Sequence, residues 1–183
     1  LSMAAGGHAI IRKALFTAEL ICDAFDLALA GVVHAQRYSL FMEFRQMDLS
    51  TRFWMVEDAP TPVGPFSHAT EQQGWVFLTG QMPTSPHDDN APLPEGVAAQ
   101  TTQVIDNLVL VLKGIGLGLE HVVSVRIFLT QFKRDYATMN AVYAAYFPPE
   151  KLPARTCIGV TGLARDALVE IDFIAHRPTS AAA

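Results

Sequence analysis

The spacing of apolar and polar positions divides the chain into two dissimilar stretches. Over residues 9–46, Ile11, Leu15, Ala18, Cys22, Phe25, Leu29 and Val32 recur at alternating intervals of four and three. That period places an apolar stripe along one face of a helix, in the manner of a coiled coil. Glu19, Asp23 and Asp26 interrupt the stretch, so it does not read as a membrane span, which needs about 20 mostly apolar residues. The same acids argue against a signal or transit peptide. Gly31 is a point where this helix bends or breaks, and the apolar run over 38–47 continues it.

From Thr51 onward the period shortens to that of strands. Residues 52–56 form the first apolar run, and Pro60-Thr61-Pro62 with Gly64-Pro65 makes a loop. Residues 66–71 and 75–81 read as a hairpin about Gln72-Gln73-Gly74. Three prolines and His87-Asp88-Asp89-Asn90 mark 85–94 as a solvent loop. Its acids lack the order, central glycine and terminal glutamate of a calcium-binding EF-hand. Helical period returns over 95–115, where Val97, Thr101, Val104, Leu108 and Leu112 line one face and Gly114, Gly116 and Gly118 end it. These glycines follow a helix instead of leading a strand into one, so they are not a dinucleotide fingerprint. Then come a strand over 122–130, a helix over 135–146 stopped by Pro148-Pro149, and strands over 154–160 and 168–175. The order βββαβαββ, with both helices gathered on one face of a mixed sheet, predicts an α+β layer. Residues 179–183 read as a tail.

Composition narrows the functional classes. Half of the 183 residues are hydrophobic, enough for one domain with a core and an appendage. The net charge is −5, and the 13 basic residues are scattered with no run longer than a pair. A nucleic-acid surface is therefore not expected, because phosphate binding needs clustered Lys and Arg. Cys22 and Cys157 supply neither a disulfide framework nor a metal spacing, and they suit a reducing compartment. The six histidines form no ligand pair, and no metal is predicted.

The chemistry concentrates near the end. Arg155 opens the run Ala154-Arg155-Thr156-Cys157-Ile158, and Glu170 sits inside Leu168-Val169-Glu170-Ile171-Asp172. Alternation puts Arg155, Cys157 and Gly159 on one strand face, and Leu168, Glu170 and Asp172 on one face of the other strand. If the two runs pair as neighbours, a guanidinium and a carboxylate meet in one pocket. There the first suits a bidentate grip on a substrate carboxylate and the second suits activation of water. A structural ion pair on a sheet face accounts for the same residues, with Glu170 paired to Arg126 or Arg155. Cys157 reads as a small buried hydrophobe or as a reactive thiol on the Arg155 side.

Four separated motifs carry a resemblance: Val63-Gly64-Pro65-Phe66-Ser67-His68, Leu78-Thr79-Gly80-Gln81-Met82-Pro83, Thr138-Met139-Asn140-Ala141-Val142-Tyr143, and Pro153-Ala154-Arg155-Thr156-Cys157-Ile158 with the glutamate strand beyond it. In order and spacing, this set resembles the RidA/YjgF/L-PSP family of reactive-imine deaminases over about residues 52–178, leaving the first fifty outside. The resemblance implies a chorismate-mutase-like fold of six strands and two helices. It implies a homotrimer with clefts between subunits, covering the sheet face that the helices leave open. It also implies hydrolysis of 2-imino or enamine acids to 2-keto acids and ammonia, without metal or organic cofactor, in the cytoplasm. By the same resemblance Arg155 clamps the substrate carboxylate, backbone groups about Cys157 hold the imine nitrogen, and Glu170 orients water. Phe66, Thr79, Gly80 and Asn140 line the substrate. Thr79 keeps a hydroxyl where the archetype has serine, whereas Phe66 replaces a tyrosine and removes a phenol, which bears on substrate choice.

Each role has a plainer counterpart. Asn140 also suits a backbone-satisfying role between helix and strand, Thr79 an ordinary strand residue, and His68 a cleft wall without catalytic duty. Family members described as ribonucleases or translation inhibitors supply an alternative function, which the acidic balance opposes. A non-catalytic ligand-binding or chaperone-like trimer is another. The leading residues 1–50 have two readings as well. One is a helical arm packing on protein. The other is upstream sequence from a misplaced start, suggested by Met42, Met47 and Met55 and by the opening Leu1-Ser2-Met3.

Overall fold

The computed structural model describes residues 50–178. The expected helical stripe over 9–46 and the tail 179–183 lie outside the described residues. Within them the predicted order holds: β1 (Arg52–Trp54), β2 (Ala69–Gln72), β3 (Trp75–Leu78), α1 (Gly96–Gly114), β4 (Val122–Leu129), α2 (Phe132–Ala144), β5 (Ala154–Gly159) and β6 (Val169–His176). The β2–β3 turn places Gln73 and Gly74 at φ 52° and 79°. Two successive left-handed residues are what a two-residue hairpin of matching twist requires. α2 begins three residues earlier than its apolar period suggested, because Lys133 and Arg134 in its first turn are polar and exposed.

The six strands form one sheet in the order β1-β2-β3-β6-β4-β5. All neighbours are antiparallel except β4 and β5. That parallel pair needs a crossover, and α2 is its crossover helix. One sheet face is closed by the helices. α1 turns Val104, Ile105, Leu108, Val111 and Leu112 inward, each fully buried, against Val125, Ile127 and Leu129 of β4 and Val169, Ile171 and Phe173 of β6. Burying a Leu, Ile or Val side chain stabilises by about 1.5–3 kcal/mol, so this layer dominates the domain's stability.

Among the described residues, the other face carries no helix. Cross-strand register aligns Phe53, Thr70, Phe77 and Ile174 in one row, with Trp75 beside His176 in the next. Phe53 is 71% exposed, Phe77 49% and Trp75 45%. Ile158 of edge strand β5 adds to the same face at 45%. Large apolar side chains this exposed on one sheet face mark an interaction face. Among the described residues, no helix is long and apolar enough to cross a membrane.

Candidate active site

The chemistry-bearing residues fall into two groups on opposite faces of the sheet. In the first, register sets Arg155 opposite Val125 and Cys157 opposite Ile127, in line with Phe173 and Ile171 of β6. Arg155 and Cys157 therefore sit on the helix side. The Arg155 guanidinium carbon lies 4.8 Å from the centroid of the Tyr143 ring on α2. Among the described residues that guanidinium has no ion pair and no hydrogen bond. Asn140 lies three residues before Tyr143, on the same helix face. Its Oδ1 and the Tyr143 hydroxyl are buried atoms with no hydrogen-bond partner among the described residues. Burial pushes the Tyr143 phenol up, and the Arg155 charge opposes the rise. Burial likewise raises the Cys157 thiol against the pull of Arg155. A raised thiol is a poor nucleophile, so the plain reading of Cys157 as a small half-buried side chain fits better than a reactive one.

The second group lies around β6. Glu170 stands opposite Phe128, which stands opposite Ile158, so it points to the open face. Its neighbour across space is Gly80. A Cβ at position 80 would overlap the Glu170 carboxylate oxygen and come within 3.0 Å of its Cδ. Only glycine leaves this carboxylate its place. The Gly80 segment is fixed by a two-way backbone bridge, Gln81 N–H donating to the Ile171 carbonyl at 2.9 Å and Ile171 N–H to the Gln81 carbonyl at 3.2 Å. Thr79 donates its hydroxyl to the Ser67 carbonyl at 2.7 Å, tying this segment to the loop that carries Phe66. Phe66 and Gly80 line a shared concavity with Pro60, Val63 and Met82. His68 is buried and fully used by that loop: its Nδ1 accepts from Val56 N–H at 2.9 Å and its Nε2 donates to the Pro60 carbonyl at 2.8 Å. It lines the same concavity and, with both ring nitrogens bonded, holds the loop in place.

Burial first, and the negative charge of Asp172 second, hold Glu170 above the usual carboxylate range. The expected structural partner is taken elsewhere. Arg126 binds Asp172 through both oxygens, Nε–Oδ1 and Nη2–Oδ2 each at 2.9 Å, and its own pKa is raised chiefly by that hydrogen bond. Glu170 is paired with neither Arg126 nor Arg155.

The expectation that the Arg155 and Glu170 runs pair as neighbours is therefore corrected. β4 lies between β5 and β6. The connection from β5 to β6 passes the end of β4, where Val160 N–H donates to the Leu129 carbonyl and Thr130 N–H to the Leu168 carbonyl. The alternation read from the sequence is right for each strand, but the inserted strand puts Arg155 and Glu170 on opposite faces. One chain brings together Phe66, Thr79, Gly80 and Glu170, and separately Asn140, Tyr143, Arg155 and Cys157. Tyr143, the last residue of its motif, joins the Arg155 group. Its signal was the three-residue spacing from Asn140 on a helix that must cover the Arg155 side of the sheet. Among the described residues no group of three or more His, Cys, Asp or Glu side chains gathers where a metal ion could be held.

Two helices on one face of a mixed six-stranded sheet, with polar residues divided between both faces, define a class of small α+β proteins whose relatives are readily found. The family model described as Endoribonuclease L-PSP matches residues 56–177. A RutC family protein of Synechocystis is 40% identical over 121 residues, covering 66% of this chain and 92% of that one. The 2-iminobutanoate/2-iminopropanoate deaminase of Escherichia coli is 33% identical over 123 residues, covering 66% of this chain and 94% of its own. The crystal structure of the E. coli yjgF gene product superposes with a TM-score of 0.63 at 32% identity, over 69% of this chain and 99% of that one. The chain belongs to the RidA/YjgF/L-PSP family.

Proposed function

We propose that this protein hydrolyses 2-imino acids to 2-keto acids and ammonia, at sites assembled between copies of the chain in a homotrimer. The observation that carries this reading is the division of the site. An unpaired guanidinium and a carboxylate of raised pKa lie on opposite faces of one sheet, each amid further residues of the same family motifs. Within one chain they cannot act on one small molecule. A second copy packed on the open apolar face brings the Glu170 half of one subunit toward the Arg155 half of another, in a closed cyclic arrangement.

At such a site Arg155 grips the substrate carboxylate through two parallel N–H bonds. Asn140 and backbone groups about Cys157 face the imine nitrogen. Glu170 accepts a proton from water as its oxygen forms a bond to the imine carbon and the C=N π pair moves to nitrogen. Glu170 returns that proton to nitrogen, giving the carbinolamine, then takes the carbinol O–H proton and passes it to nitrogen as the C–N bond breaks, so that the keto group forms and ammonia leaves. A carboxyl group held above its ordinary range suits both transfers, since it gives back the proton it takes. Positioning supplies the remaining advantage, because imines already react with water. Phe66 brings an apolar ring without a phenol to this cleft, favouring substrates with apolar side chains. The free thiol of Cys157 fits a cytoplasmic setting.

The test is ammonia release from freshly generated 2-iminobutanoate and 2-iminopropanoate. The expected result is release well above the uncatalysed rate. Release at the uncatalysed rate, with no affinity for 2-oxobutanoate, contradicts the proposal. Retained affinity without turnover would instead mark a carboxylate-binding trimer. The ribonuclease reading has no clustered basic surface to support it, with a net charge of −5.

A further inference from the structure

We propose that Tyr143 is the positioning residue of the Arg155 clamp: its ring face holds the guanidinium plane, so that the N–H fork stays unspent for an incoming carboxylate. The inference rests on the clamp reading above and adds the group that makes such a clamp work.

Every other arginine for which the structure shows a side-chain bond spends its fork inside the chain. Arg126 is closed by Asp172, Arg134 by Asp135, Arg177 by Glu71, and Arg165 by the carbonyls of Asp89 and Ala91. Among the described residues, Arg155 alone of the arginines is held by an aromatic face, at 4.8 Å. A carboxylate partner would fill the in-plane donors that a ligand needs. An aromatic face attracts the cation through its quadrupole and leaves those donors free.

The platform is itself rigid. Tyr143 is only 5% exposed, its ring lies 5.0 Å from Phe147, and Phe147 meets Phe173 at 6.2 Å, edge to face. Phe173 stands opposite Val125, which stands opposite Arg155. The guanidinium thus rests on an aromatic chain anchored in the same cross-strand row that carries its own backbone. The hydroxyl of Tyr143 takes no part in this. It is buried without a partner among the described residues, and the contact with the guanidinium is made by the ring.

The test compares the full-length protein with Tyr143→Phe and Tyr143→Leu by calorimetric titration with 2-oxobutanoate and its uncharged amide. Tyr143→Met, which fills similar space flexibly, serves as well if the leucine variant melts early. Wild type is expected to prefer the carboxylate. Tyr143→Leu or Tyr143→Met should weaken carboxylate binding by roughly tenfold, the worth of a partly desolvated cation–π contact, with amide binding little changed. Tyr143→Phe should keep the preference. Equal losses on both ligands would mean a merely structural role and overturn the proposal. So would an unchanged preference in the leucine or methionine variant, or a phenylalanine variant as weak as these. If wild type and Arg155→Ala bind both ligands alike, the clamp reading has failed and takes this proposal with it.

Discussion

Two carboxylates of the same sheet, Glu71 on β2 and Glu170 on β6, are both largely withdrawn from water, yet their surroundings are opposite. Glu71 is closed on every side. Arg177 Nε and Nη2 reach its two oxygens at 2.7 and 3.1 Å, and the Trp54 indole donates at 3.1 Å. The hydrogen bond from Arg177 is the main reason its carboxyl lies below the usual range. Arg177 also caps the Ile115 carbonyl at 3.0 Å, joining the end of β6 to β2 and to the end of α1. Glu170 has a glycine backbone, a burial cost and a like charge nearby, and no paired cation among the described residues. The first carboxylate is arranged to be comfortable in the free protein. The second is left with capacity to take up a proton. Arg155 stands to Arg177 as Glu170 stands to Glu71. The difference teaches that the charges left unsatisfied inside one chain are the ones to suspect of chemistry.

The contrast breaks most sharply at the clamp. Arg155→Ala should lower turnover of imino acids by about a thousandfold. Loss of the charge-assisted bond, roughly 1.5–3 kcal/mol, accounts for part, and lost alignment of the imine carbon with water for the rest. Arg155→Lys should rescue little, since an ammonium has no planar fork. Turnover per folded protein, checked by circular dichroism and light scattering, is the measurement. Near-normal turnover in Arg155→Ala would remove Arg155 from the mechanism.

Glu170→Gln should cost on the order of a hundredfold in turnover, the usual share of a positioned base, while leaving 2-oxobutanoate affinity nearly intact. Its melting temperature should not fall, because the substitution removes a carboxylate that burial disfavours. A less stable variant with unchanged turnover would make Glu170 structural.

Glu71→Gln should behave in the reverse way. It leaves Arg177, whose side chain is 31% exposed, without its charge partner. Stability should drop by about 2 kcal/mol, less than a fully buried pair would lose because the guanidinium is partly solvated. Turnover per folded protein should stay close to wild type. Denaturant titration beside the ammonia assay decides this.

The smallest expected effect is in the pH dependence, where the two carboxylates have opposite signs. Glu71 has a lowered folded-state pKa, so its contribution is present above the ordinary glutamate value and lost as pH falls through the lowered one. Glu170 has a raised folded-state pKa. Its contribution is present below the ordinary value and lost as pH rises through the raised one. Melting curves from acid to neutral pH should therefore show Glu71→Gln losing ground to wild type as pH rises, and Glu170→Gln gaining it. Parallel curves for both variants would refute the contrast.

How far the sequence reveals this arrangement follows the range of the interactions. Element order is local and was legible, because alternation marks β4 and β6 and the 3.6 period marks α1. The face taken by Arg155 and that taken by Glu170 within each strand were legible for the same reason. Their mutual position was not. It depends on β4 inserting between β5 and β6, a long-range pairing that no run of residues announces. Gly80 illustrates the same limit. The motif flagged it, but its physical reason, the Glu170 carboxylate against its Cα, appears only when residues 90 apart in sequence meet. The structural pairing open to Glu170, with Arg126 or Arg155, was likewise undecided until register put Asp172 opposite Arg126.

The central claim is that each site takes its halves from different copies of the chain. Subunit mixing tests it most directly. Arg155→Ala and Glu170→Gln proteins, each nearly inactive alone, are unfolded together in equal amounts and refolded. If Arg155 of one copy serves with Glu170 of its neighbour, random assortment into cyclic trimers leaves about a quarter of the sites with both groups intact, and roughly a quarter of wild-type turnover returns. If both groups served from the same chain, no mixed oligomer would hold an intact site. Turnover no higher than that of the two variants measured separately would then contradict the account.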